Sequence, residues 1–233
     1  MSTKLKIAAA VAAAVLLSAC SSPKHEPMPL VKFTPSMEVT EVWSKGLSSA
    51  EGFLVPAVYD DMVFAAGGKT LTRLNARTGE TEWSVSFNSP ITGGVGSDGY
   101  VTAVGLWDGN LEVVDAEGKV SWEKKLTTEL ASPPVVSHGL VIARTMDTRV
   151  SAFEASSGEL QWTYQRSQPA LTVRLPTRML AHDNFLLVGQ PNGHIVILDI
   201  ASGKPMFEFQ VAQAKGVTEV ERLVDVVGAP AFS

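Results

Sequence analysis

Between positions 62 and 207 short β-rich runs of mainly apolar residues recur, notably over 62–66, 100–105, 140–144 and 185–189. Short apolar runs of this length, bounded by turn residues, are the pattern of strands buried in a sheet. Tight-turn pairs precede these runs at Asp60-Asp61, Asp98-Gly99, His138-Gly139 and Asp183-Asn184. Others follow them at Gly67-Gly68, Asp108-Gly109, Asp147-Thr148 and Asn192-Gly193. Gly, Asn and Asp tolerate the positive φ of two-residue hairpin loops, so the runs read as consecutive hairpins. No helical period competes with them.

The hairpins recur as a larger unit. LTRLNARTGETEW (71–83), LEVVDAEGKVSW (111–122), VSAFEASSGELQW (150–162) and IVILDIASGKPMF (195–207) are related, and each has a glycine four residues before its final aromatic. With Trp43 included, the aromatics Trp43, Trp83, Trp122, Trp162 and Phe207 are spaced 40, 39, 40 and 45 residues apart. Four antiparallel strands per repeat of about 40 residues is the blade of a β-propeller, so the fold class is all-β. A buried Trp removes roughly 150–250 Å² from water, enough to dock one blade on the next. These five aromatics are therefore read as structural docking residues.

The N-terminus follows a different pattern. Lys4 and Lys6 precede an eleven-residue apolar run over 7–17, too short to cross a ~30 Å hydrocarbon layer as a helix. Residues 1–19 read as a signal peptide. The run ends in Leu17-Ser18-Ala19-Cys20, which resembles the bacterial lipobox, with Cys20 as the lipidated residue; an ordinary signal with an incidental cysteine is the alternative. Ser21 and Ser22 follow where an Asp would signal inner-membrane retention, and this resemblance implies the outer membrane, facing the periplasm. Pro23, Pro27, Pro29 and Pro35 disfavour regular structure, so 20–38 reads as a flexible tether and 39–233 as the partial propeller.

Composition narrows the function. The chain is 45% hydrophobic and 18% charged, with a net charge of −5, so a core can form and no cationic footprint for nucleic acid exists. One cysteine excludes a disulfide framework and a cysteine-rich metal site. His25, His138, His182 and His194 lack zinc-ligand spacing and fall in the tether or beside turns. Gly94-Val95-Gly96-Ser97-Asp98-Gly99 matches G-x-G-x-x-G, but a strand rather than a helix is predicted after it, which favours a turn over a nucleotide loop. No G-x-S-x-G elbow or paired-carboxylate arrangement marks a catalytic centre.

The repeat, an Asn or acidic residue, then Thr/Ser-Gly, then an aromatic four residues beyond the glycine, resembles the tryptophan-docking repeat of quinoprotein-type propellers. Two families carry it: enzymes that bind pyrroloquinoline quinone, and the BamB lipoproteins of the outer-membrane β-barrel assembly (BAM) machine. Leu171-Thr172-Val173-Arg174 is similar to the BamB loop pattern Leu-x-aliphatic-Arg. The stretch Thr218-Glu219-Val220-Glu221-Arg222-Leu223-Val224-Asp225-Val226 is similar to its second pattern, Thr-Glu-x-x-Arg-Leu-x-Asp-Val.

This resemblance implies a non-catalytic scaffold without a cofactor, binding the POTRA domains of BamA and assisting insertion of outer-membrane proteins. Leu171 and Val173 would give apolar contact and Arg174 a forked donor; Asp225 would be either an acceptor for the partner or a clamp on Arg174. Unfolded outer-membrane clients are a further implied partner, by strand addition to sheet edges. Another periplasmic propeller adaptor, or a quinone-dependent dehydrogenase, is the alternative; such enzymes use a cysteine pair, which one cysteine cannot build. The sequence departs from the family at Leu175-Pro176-Thr177-Arg178-Met179 and at Val227. The family ring has eight blades, and this chain is expected to be a truncated version, about four blades plus part of a fifth.

Overall fold

The structure, a computed structural model, describes residues 37–48, 54–166, 171–172, 177–228 and 230. The signal peptide, Cys20 and almost all of the tether lie outside the described residues. Two units separate, Met1–Thr40 and Glu41–Ser233; of the first, the described residues 37–40 are exposed and form no strand.

The described residues of the second unit form four antiparallel sheets of four strands, each in simple up-and-down order. The first holds β1 (Ala57–Tyr59), β2 (Met62–Gly67), β3 (Thr70–Asn75) and β4 (Thr81–Ser86). The second holds β5 (Ile91–Ser97), β6 (Thr102–Leu106), β7 (Asn110–Val114) and β8 (Val120–Lys125). The third is built from β9 (Val135–Ser137), β10 (Leu140–Arg144), β11 (Val150–Glu154) and β12 (Leu160–Tyr164). The fourth is built from β13 (Leu180–His182), β14 (Phe185–Gln190), β15 (His194–Asp199) and β16 (Pro205–Gln210). The only helical turn among the described residues is the 3₁₀ turn Pro191–Gly193. β1 lies against β5, β5 against β9 and β9 against β13, the succession of inner strands in propeller blades.

The core lies between sheets. Phe64 and Leu71 meet Ile91, Val104 and Leu106 between the first and second. Leu111 and Val113 meet Val141 and Phe153 between the second and third. Ile142 and Val150 meet Leu186, Val188 and Val196 between the third and fourth. Strict alternation explains this layering, since Leu71, Leu111 and Val150 face the following sheet while Val114, Phe153 and Val196 face the preceding one. The predicted turn residues Asp60, His138, Thr148 and Asp183 have φ between 47° and 61°, the left-handed conformation that tight hairpins demand.

The same bulge recurs between third and fourth strands in every sheet, at Arg73/Leu74, Val113/Val114, Ala152/Phe153 and Ile197/Leu198. It ends the third strand at a corner where an Asn or acidic side chain closes the turn. Asn75 Oδ1 accepts from the amides of Arg77 and Thr78, and Asp199 Oδ1 from that of Ser202. Onto this corner comes the tryptophan of the preceding repeat. The Nε1 groups of Trp43, Trp83, Trp122 and Trp162 donate to the carbonyls of Ala76, Ala116, Ala155 and Ile200 at 2.8–2.9 Å.

Phe207 holds the equivalent place on β16. Its ring is 54% exposed and stacks on Phe209 with ring centroids 6.3 Å apart. Docking needs the corner of a following repeat, and no described residue supplies one.

Candidate partner-binding surface

The two family-like stretches frame the fourth sheet. Leu171 is 42% exposed and Thr172 half-buried; Val173, Arg174, Leu175 and Pro176 lie outside the described residues. The chain re-enters at Thr177, whose amide donates to Ala131 O at 3.3 Å, and the Arg178 amide donates to Gly228 O at 3.1 Å. Thr177 and Gly228 form an isolated parallel bridge. The segments entering the third and fourth sheets and the C-terminal stretch are thereby linked side by side.

The second stretch begins with a local device. Thr218 Oγ1 accepts from the Glu221 amide at 3.2 Å, while Glu221 Oε2 accepts from the amides of Thr218 and Val217 at 3.0 and 2.9 Å. This is the reciprocal bonding of a capping box, here closing a turn over 218–222. The amide bonds hold the Glu221 carboxyl below the ordinary carboxylate range. From this turn the chain runs extended through Asp225 to Val226, whose amide donates to Gln190 O at 3.2 Å.

Thr172 and Asp225 line one cleft together with Arg144, Thr177 and Gln190. The structure thus brings the predicted Asp225 and the neighbour of the predicted Leu171 to the same place. Arg144, absent from the motifs of the sequence, also lines this cleft. It is 5% exposed, and its Nη1 donates to Thr177 Oγ1 at 2.6 Å. Burial pushes its pKa down to about 10, and the Asp225 carboxylate acts against that fall. Gln190 is 3% exposed. Among the described residues, Arg144 Nε and Gln190 Nε2 have no hydrogen-bond partner. One signal for Arg144 was present: it ends a β-run at a place where the other repeats have Ala66, Gly105 and Gly189.

The other motifs resolve into packing. In the G-x-G-x-x-G stretch, a Cβ on Gly96 would stand 1.9 Å from Pro134 O, so glycine is required for the third sheet's entry segment to approach β5. Asp98 Oδ1 accepts from the amides of Tyr100 and Val101, closing a hairpin turn rather than a phosphate loop. His194 Nδ1 lies 2.7 Å from Glu208, which also pairs with Arg166. Among the described residues no three His, Cys, Asp or Glu side chains converge as metal ligands, and no helix is long and apolar enough to cross a membrane.

Comparison with known proteins places this geometry in a family. The profile described as outer membrane protein assembly factor BamB matches residues 67–233. The BamB of Burkholderia pseudomallei is 39% identical over 228 residues, covering 95% of this chain and 60% of the relative. The crystal structure of BamB from Moraxella catarrhalis superposes with a TM-score of 0.70 at 28% identity, over 77% of this chain and 55% of that one. A quinohemoprotein alcohol dehydrogenase from Pseudomonas putida reaches a TM-score of 0.54 at 17% identity, over 70% of this chain and 34% of its own, a likeness of fold alone. The chain spans about 60% of the length of the curated relative from Burkholderia. With a family profile matched from the end of β2 through the fourth sheet and both motif stretches, the chain belongs to the BamB family of outer membrane protein assembly factors.

Proposed function

We propose that this chain acts as a non-catalytic scaffold of the outer-membrane β-barrel assembly machine, anchored by lipid at Cys20 to the outer membrane and facing the periplasm. In this reading the surface around Leu171 and Asp225 binds the POTRA domains of BamA, with Val173 and Arg174 completing it, and the sheets present the surface without undergoing chemistry. The observation that carries it is the convergence of the two stretches: Thr172 and Asp225, far apart in sequence, line one cleft between the third and fourth sheets. A partly exposed apolar residue beside a partly buried acid gives a partner both contact area and a fixed polar anchor. Clients in the unfolded state would meet the outer strands β4, β8, β12 and β16, whose residues are mostly exposed.

The test is a titration with purified POTRA domains. A variant combining Leu171→Ala, Arg174→Ala and Asp225→Ala should bind at least tenfold more weakly, with unchanged circular dichroism. Undiminished binding would move the interface elsewhere.

A further inference from the structure

The register of the second and third strands puts four residues in equivalent places. Ala66 pairs with Leu71, Gly105 with Leu111, Arg144 with Val150 and Gly189 with Ile195. At the two glycines another segment crosses closely: a Cβ on Gly105 would stand 2.3 Å from Leu130 Cδ1, and one on Gly189 would stand 2.8 Å from Val226 O. In the third repeat the position holds the largest cation instead, and it is still buried. A buried guanidinium is costly unless it is hydrogen-bonded and faced by an opposite charge. Its partners come from two different segments: Thr177 from the one entering the fourth sheet, and Asp225, lining the same cleft, from the C-terminal stretch.

We propose that Arg144 is a positioning residue for the binding surface, a buried post that holds Thr177–Arg178 and the segment 223–228 in one arrangement. The bond to Thr177 fixes the end of the first segment, and the charge facing Asp225 fixes the second. By ordering both segments, Arg144 also sets the surface that a docking protein meets. This last consequence rests on the partner reading above; the ordering role does not.

Hydrogen exchange of the full chain tests the ordering role through the amides of Thr177, Arg178 and Val226, which donate to Ala131, Gly228 and Gln190. Arg144→Met should lower their protection at least tenfold while amides of the first sheet stay unchanged. Asp225→Asn should lower protection at Thr177, although Asp225 belongs to the other segment, and should add nothing in the Arg144→Met background. Arg144→Lys, which keeps the charge facing Asp225, should recover part of the loss. Unchanged protection at Thr177 in Asp225→Asn, or additive losses in the double variant, would overturn the proposal. Should Arg144→Met fail to fold, the Asp225→Asn result decides alone. A parallel titration with POTRA domains should show at least tenfold weaker binding for Arg144→Met. If the unaltered chain does not bind them, the partner reading falls while the exchange data still decide the role of Arg144.

Discussion

Trp122 and Gly158 form a single joint between the second and third sheets. The indole Nε1 donates to Ala155 O at 2.8 Å, and a Cβ added to Gly158 would stand 2.7 Å from Trp122 Cδ2. Gly158 also has φ of 71°, so the corner needs glycine both for its conformation and for the ring that lies on it. The same pairing joins Trp43 with Gly79, Trp83 with Gly118 and Trp162 with Gly203. Each unit is therefore stabilised by its successor, as in other repeat architectures where much of the stability resides in the interfaces.

Trp122→Ala should destabilise the chain by about 3–5 kcal/mol, the usual cost of removing a large aromatic from a packed site. Gly158→Ala should also destabilise, because the added methyl meets the ring at a positive φ. Trp107 is 62% exposed beside the Asp108-Gly109 turn, and Trp107→Ala should cost well under 1 kcal/mol. Urea denaturation of the three variants checks this; equal midpoints for Trp122→Ala and Trp107→Ala would contradict the joint.

Glu112 and Glu123 stand directly opposite each other on β7 and β8, where the first and third sheets have the hydrogen-bonded pairs Thr72–Ser84 and Ser151–Thr163. Burial, followed by the nearby Glu123 and Asp108, pushes the Glu112 carboxyl up to about 7. A raised acid takes up a proton on folding, so its contribution to stability falls as pH rises from its unfolded value toward about 7. Glu112→Gln should therefore melt higher than the parent at pH 8, by roughly 2–4 °C for each kcal/mol gained. The difference should shrink toward pH 4.5. Thermal melts across that range give the result, and a pH-independent difference would exclude the linkage.

Cys20→Ser should abolish acylation, since the serine hydroxyl does not replace the thiol that accepts the lipid. Metabolic labelling with a radioactive fatty acid in a diderm host measures this directly. Equal incorporation in parent and variant would remove the anchor from the proposed function.

Repeat number, strand order and corner chemistry were legible in the sequence because each is local. A short apolar run, a turn pair and a glycine four residues before an aromatic are all set within a dozen residues. The Thr218–Glu221 turn is also local, a T-x-x-E capping pattern inside the family-like string. What the tertiary structure alone decided involves residues far apart in the chain. Each tryptophan docks not on its own corner but on that of the next repeat, in the case of Trp122 on a carbonyl 33 residues further along. Phe207 has the same spacing, and its docking depends on the corner of a following repeat, which no described residue supplies. Arg144 reads in sequence as a polar strand end that water would solvate; packing of the third sheet on the fourth buries it and sets it against Thr177 and Asp225. Periodicity reports which face a side chain takes, whereas the identity of what lies across that face depends on how the sheets stack.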